Sequence, residues 1–431
     1  MSDTVYSGPA ESLNGAVWVA GDKSISHRAL MFAALADGIS EVSNFLHSAD
    51  CLATMQALNR LGVRIESADD LIKVHGCKDW LCSDGQVIDL GNSGTSIRLL
   101  TGLLAGKKIS LTLSGDTSLN RRPMRRVVDP LLKMGADINT SEHGTPPVII
   151  KPAEHLQGVH SELNIASAQV KSALLLAGLD AHGETVVVEP TLSRDHSERM
   201  LGSFGYQVER RGLMVRLTGG SRLKATHISV PGDISSATFL IVAAAIVPNS
   251  DIVIENVGLN DTRSGAIKIL RGMGANIEIL DRQIVCNEPV GNLRVRSTRL
   301  KGIDIPEHWV PSAIDEFPAL FIAAACAEGY THLRGAEELR VKESDRIAAM
   351  AEGLRNCGIA VEVHHDGMTI EGGRLKGGVV ESFDDHRVAM AFAVAGAVAD
   401  DVISVQRCQN IETSFPDFVA TANSIGLNLS V

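Results

Sequence analysis

The sequence predicts an α/β protein of two domains assembled from six copies of one helix–turn–strand unit. Three observations predict it: a length of 431 residues, a short phrase that recurs six times, and a nearly all-apolar segment that keeps the same beat. A chain of this length exceeds what one hydrophobic core organises and suggests two domains of roughly 200 residues each.

The phrase is a helix tail, then glycine, then an alternating strand. It reads LNRLGVRIE around Gly62, LLKMGADIN around Gly135, MLGSFGYQVE around Gly205, LRGMGANIEI around Gly274, LRNCGIAVEV around Gly358 and ANSIGLNLSV around Gly426. Each glycine stands where a helix ends in the left-handed conformation that a residue without Cβ adopts cheaply, and the alternation after it suits a half-buried strand. The apolar segments are KSISHRALMFAALA from Lys23, NSGTSIRLLTGLLAG from Asn92, SAQVKSALLLAGL from Ser167, DISSATFLIVAAAIV from Asp233, DEFPALFIAAACA from Asp315 and DDHRVAMAFAVAGAVA from Asp384. A helix apolar on most faces is buried on most faces, so the simplest architecture sets three such helices inside each domain. The domain change is expected near THISVPGD, residues 226 to 233. A solenoid or a generic α/β protein is the competing reading, but five of the six segments open with side chains that handle anions and protons.

Composition narrows the function. Apolar residues are 45% of the chain and aromatics 4%, so Ala, Leu, Ile and Val are left to pack the interior. A formal charge of -11 argues against a general binder of nucleic acid or anionic membrane. Met1 to Leu13 is polar, without a basic-then-apolar signal, and no apolar run reaches the 18 or more residues of a membrane span. The chain therefore reads as cytosolic. The seven cysteines have neither zinc-ribbon nor redox spacing and read as buried free thiols.

Several helix starts aimed at one cleft make a strong anion site, because each offers unpaired N–H groups and the positive end of a dipole. Lys23, Ser24 and Arg28 occupy the first start, with Ser24 able to cap or to bind phosphate. In GNSGTSIR, Gly91 and Gly94 permit close backbone approach, Asn92, Thr95 and Ser96 offer polar atoms, and Arg98 is either a ligand or a surface residue. LNRRPMRR packs four arginines, suited to bidentate recognition of phosphate and carboxylate, although any one of them is as easily a charged loop residue. AIDEFP sets Asp315 and Glu316 at a helix start, and VKESDR sets Lys342, Glu343 and Arg346 within about one helical turn. Glu316 and Asp345 read as salt-bridge partners, and Asp315, Glu343 and Lys342 as functional. His386 and Arg387 open the last apolar helix, where a histidine is a cap or a packing residue unless anionic neighbours converge on it.

Taken together, GDKSISHRALMFAAL, LGNSGTSIRLL, NRRPMRRVVDPL, SAQVKSALLLAGL, AIDEFP, VKESDRI, DDHRVAMAF and SFPDF resemble the EPSP synthase family over essentially the whole chain, in the family's order. PTLSRDHSERML resembles the variant of the bacterial class II enzymes. The resemblance implies a two-domain inside-out α/β barrel of six βαβαββ repeats, with residues 1–20 and 230–431 forming one domain, 21–229 inserted, and substrates taken at the domain boundary. It implies enolpyruvyl transfer from phosphoenolpyruvate to the 5-hydroxyl of shikimate 3-phosphate by addition and elimination, in a monomer, with no cofactor. Carried over by motif, Lys23 meets both substrates. Ser24, Arg28, Ser167, Gln169, Arg194, Asp315 and Lys342 are implied to hold shikimate 3-phosphate, and Gly94, Arg122, Arg346 and Arg387 phosphoenolpyruvate, with Gln169 also near. Asn92 and Ala168 are implied to be substrate-binding positions as well. Asp315 is the candidate base for the hydroxyl, Glu343 and Lys23 are candidates for moving the C3 proton, and His386 completes the catalytic set.

Two positions depart from the family pattern. Ala168 stands where many members have a second serine, and Thr413 where many have a lysine, which removes a cation from the phosphoenolpyruvate side; Gly94 leaves room there. Two alternatives remain: the sister transferase that acts on UDP-N-acetylglucosamine, and a non-catalytic anion-binding protein on the same scaffold. The first requires a cysteine on a mobile loop, and the corresponding stretch, Lys107 to Arg126, has none.

Overall fold

A computed structural model describes residues 3–68, 70–83 and 85–431. The chain divides into two compact units, one of Met1–Ala20, Pro231–Ile284 and Pro289–Val431, the other of Gly21–Val230 with Val285–Glu288. The segment Val285–Glu288 groups with the inserted unit, apart from its neighbours in sequence.

All six glycines of the recurring phrase have positive φ, between 74° and 110°. They follow the helices Ala49–Arg60, Arg125–Lys133, His196–Ser203, Gly265–Gly272, Arg346–Asn356 and Phe418–Ser424. At each, the residue after glycine donates its N–H to a carbonyl five residues back, as in Val63 to Leu58, Ala136 to Leu131, Tyr206 to Leu201, Ala275 to Leu270, Ile359 to Leu354 and Leu427 to Ala422, at 2.8–3.2 Å. This bond satisfies a helix-end carbonyl and turns the chain into the next strand.

The inserted unit has three central helices, Lys23–Leu35, Gly94–Leu104 and Ala168–Asp180, each buried along most of its length. Gly102 lets two of them touch: a Cβ there would sit 2.2 Å from the Ala173 carbonyl oxygen. Three four-stranded sheets belong to this unit, and each has one parallel pair followed by two antiparallel neighbours, as in His227–Ser229, Ile39–Ser43, Leu71–His75 and Ile65–Ala68. The other two repeat the pattern.

The discontinuous unit repeats the plan with Ile234–Ile246, Phe317–Ala325 and His386–Ala395 as its buried helices. Its first residues enter through the strand Thr4–Gly8, which lies between Ile403–Gln406 and Asn428–Ser430. One of its sheets has three strands, Tyr330–Leu333, Gly367–Glu371 and Val361–His364, and the parallel bridges Lys301 to Glu328 and Asp304 to His332 stand in the fourth place. Helices inside and sheets outside, twice over, is the inside-out α/β arrangement. No helix among the described residues is long and apolar enough to cross a membrane.

The thiols divide, against the expectation that all are buried. Cys51, Cys357 and Cys408 are buried, whereas Cys77, Cys82, Cys286 and Cys326 are partly exposed, and all are free. Burial pushes the Cys408 thiol up to about 12 and Cys51 higher still.

Candidate active site

In the inserted unit the three central helices run the same way, and side chains link their starts. Gln169 donates to Thr95 Oγ1 at 3.1 Å, and Arg98 donates to the Gln169 side-chain oxygen. Arg28 donates from Nη2 to Ser172 at 2.8 Å. Three N-termini are thus gathered at one end of the unit, where their partial positive charges favour an anion.

Caps explain the local folding. Asp22, and not Ser24, caps the first helix, its Oδ1 accepting from the Ile25 N–H at 2.8 Å, because the helix begins two residues earlier than a Ser24 cap requires. Ser93 caps Gly94–Leu104 and Ser167 caps Ala168–Asp180. Beside these starts Lys23 Nζ lies 3.1 Å from Asp50, and Asn92 receives a hydrogen bond from Arg122 Nη2 at 2.6 Å while donating to Asp116 at 2.7 Å. Of the four arginines in LNRRPMRR, Arg122 faces Gly94, whereas Arg121 and Arg125 are exposed and Arg125 donates to the Glu142 carbonyl. Arg28 is buried and directs its nitrogens inward, from Nε to Ser197 at 2.8 Å and from Nη1 to the Ser24 carbonyl at 2.9 Å. Arg194 lies in the loop between the strand Glu184–Val188 and the helix His196–Ser203.

Behind this surface His27 is wholly buried, its Nδ1 2.7 Å from Thr54 Oγ1, with Thr54 2.6 Å from Ser96 and Ser96 2.6 Å from Ser93. Burial, then the charges of Lys23 and Arg28, holds the imidazole well below its ordinary range, so it is neutral near pH 7.

The discontinuous unit centres on Arg346, 1% exposed. Its Nε donates to Asp385 Oδ2 at 2.8 Å, its Nη2 to Glu343 at 2.6 Å, and its Nη1 to Asp315 Oδ1 at 3.5 Å. Burial opposes the charge, but Asp385, Glu343 and Asp315 outweigh it and leave the guanidinium more firmly protonated than usual. Lys342 Nζ lies 3.4 Å from the same Asp315 oxygen, and Arg387 donates to the Asp315 carbonyl at 2.9 Å. Asp315, Lys342, Glu343, Arg346 and Arg387 are therefore brought together. They do not share a helical turn as the spacing of VKESDR suggested: Asp345 caps the helix that Arg346 begins, so Lys342 and Glu343 stand in the preceding loop. His386 is buried at the start of its helix, whose cap is Asp385. Glu316 and Asp345 are structural, Glu316 accepting from Ser235 beside Arg263 and Asp345 pairing with Arg340 at 2.7 Å. Thr413 donates to the Asn410 carbonyl at the end of a short 3-10 turn.

A cavity of about 610 Å³ lies at the other end of the inserted unit's helices, lined by Leu35, Gly106 and Asp180 with Lys78, Lys107 and Arg222. Lys107 pairs with Asp180 at 2.6 Å, and Lys78 and Arg222 both pair with Asp37, so these cations are engaged in holding that end together.

Several participants escaped the sequence reading. Asp50 lies 27 residues from Lys23, and Arg263, buried against Asp233 at 3.1 Å, is a lone cation in NDTRSG; neither carries a motif. Asp385 was within reach, since DDHRVAM offers it next to residues already singled out.

The family model for EPSP synthase (3-phosphoshikimate 1-carboxyvinyltransferase) matches residues 8–421. A 3-phosphoshikimate 1-carboxyvinyltransferase of Methylococcus capsulatus is 54% identical over 432 aligned positions, covering 100% of this chain and 99% of its own, and one of Nitrosococcus oceani is 55% identical, covering 97% and 95%. The solved EPSP synthase of Acinetobacter baumannii superimposes with a TM-score of 0.90 at 47% identity, covering 100% of this chain and 99% of its own.

Proposed function

Since the chain belongs to the EPSP synthase family and so transfers the enolpyruvyl group of phosphoenolpyruvate to shikimate 3-phosphate in the shikimate pathway, we propose a division of labour between its two sets of residues. The helix starts of the inserted unit, with Lys23, Ser24, Ser167, Gln169 and Arg194, take shikimate 3-phosphate, while Asn92, Gly94 and Arg122 take an anionic end of phosphoenolpyruvate. Arg28, braced by Ser197, Ser172 and the Ser24 carbonyl, brings its charge to the same shikimate 3-phosphate site. In the discontinuous unit Arg346 and Arg387 hold the phosphoenolpyruvate anions, while Asp315 and Lys342, 3.4 Å apart, take shikimate 3-phosphate. The protein acts as a cytoplasmic monomer.

The reaction needs proton transfers and charge stabilisation. As the 5-hydroxyl oxygen bonds to C2 of phosphoenolpyruvate, Asp315 accepts the hydroxyl proton and C3 gains one from Glu343 or Lys23. Loss of phosphate from the tetrahedral intermediate, with return of the C3 proton, restores the double bond, and the arginines hold the charge that develops on the departing group. What supports this reading above all is the cluster around Arg346, where one buried, permanently charged guanidinium touches both carboxylates assigned to proton transfer.

Phosphate release with phosphoenolpyruvate and shikimate 3-phosphate, run beside UDP-N-acetylglucosamine, tests the substrate. Asp315→Asn and Glu343→Gln test the roles: each is expected to lower kcat by about 10²–10⁴-fold with an unchanged circular dichroism spectrum. Undiminished turnover in either variant removes that carboxylate from the mechanism.

A further inference from the structure

Beneath the loop that carries Arg194 is a buried charge cluster that the reaction does not use. Lys171 stands in the first turns of Ala168–Asp180, two residues beyond Gln169, and is wholly buried. Its ammonium lies 2.7 Å from Glu189 Oε2 and 2.8 Å from Glu198 Oε1. Glu189 directly follows the strand Glu184–Val188 and Glu198 belongs to the helix His196–Ser203, so the two carboxylates bracket the Arg194 loop on both sides. Both are nearly inaccessible to water.

The loop is tied to this cluster. Ser193, directly before Arg194, donates to the other Glu189 oxygen. Asp195, directly after it, is buried between Arg199 at 2.9 Å and Arg210 at 2.7 Å. Ser172, next to Lys171, is 2.7 Å from Ser197, next to Glu198. The helix that begins with the Gln169 end of the site is therefore fastened to the loop and to the helix behind it through adjacent pairs of side chains.

Stability alone accounts poorly for this arrangement. Burying one cation with two carboxylates carries a desolvation cost that apolar side chains of the same volume do not, and in some proteins buried polar groups are kept because they fix one geometry. We infer that Lys171, with Glu189 and Glu198, is a positioning device for Arg194: it sets the height and direction of that guanidinium and thereby the affinity for the phosphate of shikimate 3-phosphate, without touching either substrate. This rests on the assignment of Arg194 to shikimate 3-phosphate, and the experiment separates the two.

Steady-state constants are measured for Arg194→Ala, Lys171→Met, Glu189→Gln and the double variant Arg194→Ala/Lys171→Met, with thermal melting to verify folding. Lys171→Met is expected to raise the KM for shikimate 3-phosphate by about tenfold or more, towards the roughly hundredfold cost of a misplaced positioning group, while the KM for phosphoenolpyruvate stays within about twofold. Glu189→Gln shifts the same constant in the same direction by less, and serves in place of Lys171→Met if that variant does not fold. In the Arg194→Ala background the second substitution is expected to have no further effect, because there is no guanidinium left to misplace. An additive loss there, or equal losses for both substrates, overturns the proposal in favour of general structural damage or a long-range charge effect. If Arg194→Ala itself leaves the KM for shikimate 3-phosphate unchanged, the assignment of Arg194 has failed instead.

Discussion

A β-carbon on Gly94 would lie 2.6 Å from Nη1 of Arg122, and that nitrogen belongs to the guanidinium whose other end donates to Asn92. The clash is with the far end of a flexible side chain, so Gly94→Ala is expected to fold normally while Arg122 swings aside. Loss of a well-placed charge-assisted contact of this kind costs about 1.5–3 kcal/mol. The KM for phosphoenolpyruvate should rise accordingly, with a much smaller change for shikimate 3-phosphate; equal changes in the two would show that Arg122 does not serve phosphoenolpyruvate.

Asp385 does two tasks at once, accepting from Arg346 and capping its own helix. Removing it in Asp385→Ala leaves Arg346 buried with its strongest carboxylate gone, a change that typically costs about 3–5 kcal/mol. Urea unfolding should show a lowered midpoint of that order, together with reduced turnover because Glu343 and Asp315 lose a fixed reference.

His27 makes stability depend on pH. Its native pKa is depressed below the ordinary histidine value of about 6.5, so below that pH the unfolded chain takes up a proton that the native imidazole refuses. Stability is therefore complete above pH 6.5 and falls as the pH drops through the window beneath it, by at most about 1.4 kcal/mol per pH unit. The difference in urea midpoint between wild type and His27→Asn is expected to change across pH 7 to 5 with that sign. A constant difference would mean that His27 titrates alike in the native and the unfolded chain.

Alanine usually stabilises an exposed helix relative to glycine by about 1 kcal/mol. Gly102→Ala is expected to do the reverse, since the new carbon meets backbone of the neighbouring helix at 2.2 and 2.6 Å. Forcing the two helices apart should cost about 1–3 kcal/mol, read as a lower melting temperature. It should also weaken the contact of Arg98 with Gln169.

The parts of the molecule that sequence revealed are those in which one residue type answers one physical demand. A left-handed helix end demands glycine, so Gly62 and its five counterparts mark their turns without any knowledge of tertiary structure. A helix buried all round has no polar face to display, which is why the six central helices were visible as apolar runs. Pairings between distant side chains carry no such mark: Lys23 with Asp50, Arg346 with Asp385 and Lys171 with Glu189 are made by the fold. The exchange of Ser24 for Asp22 as cap shows the finer difficulty, because both residue types cap well and only the register of the first turn chooses between them.

The shared direction of the inserted unit's three helices also divides that unit into two ends with separate duties. Amide hydrogens point towards Lys23, Thr95 and Gln169 at one end, while at the other the carbonyl ends meet a mixed border of lysine, arginine and aspartate around Trp80 and Asp180. The ion pairs of Lys107 with Asp180 and of Lys78 and Arg222 with Asp37 therefore lie at the opposite end of the bundle from Lys23, Gly94 and Gln169.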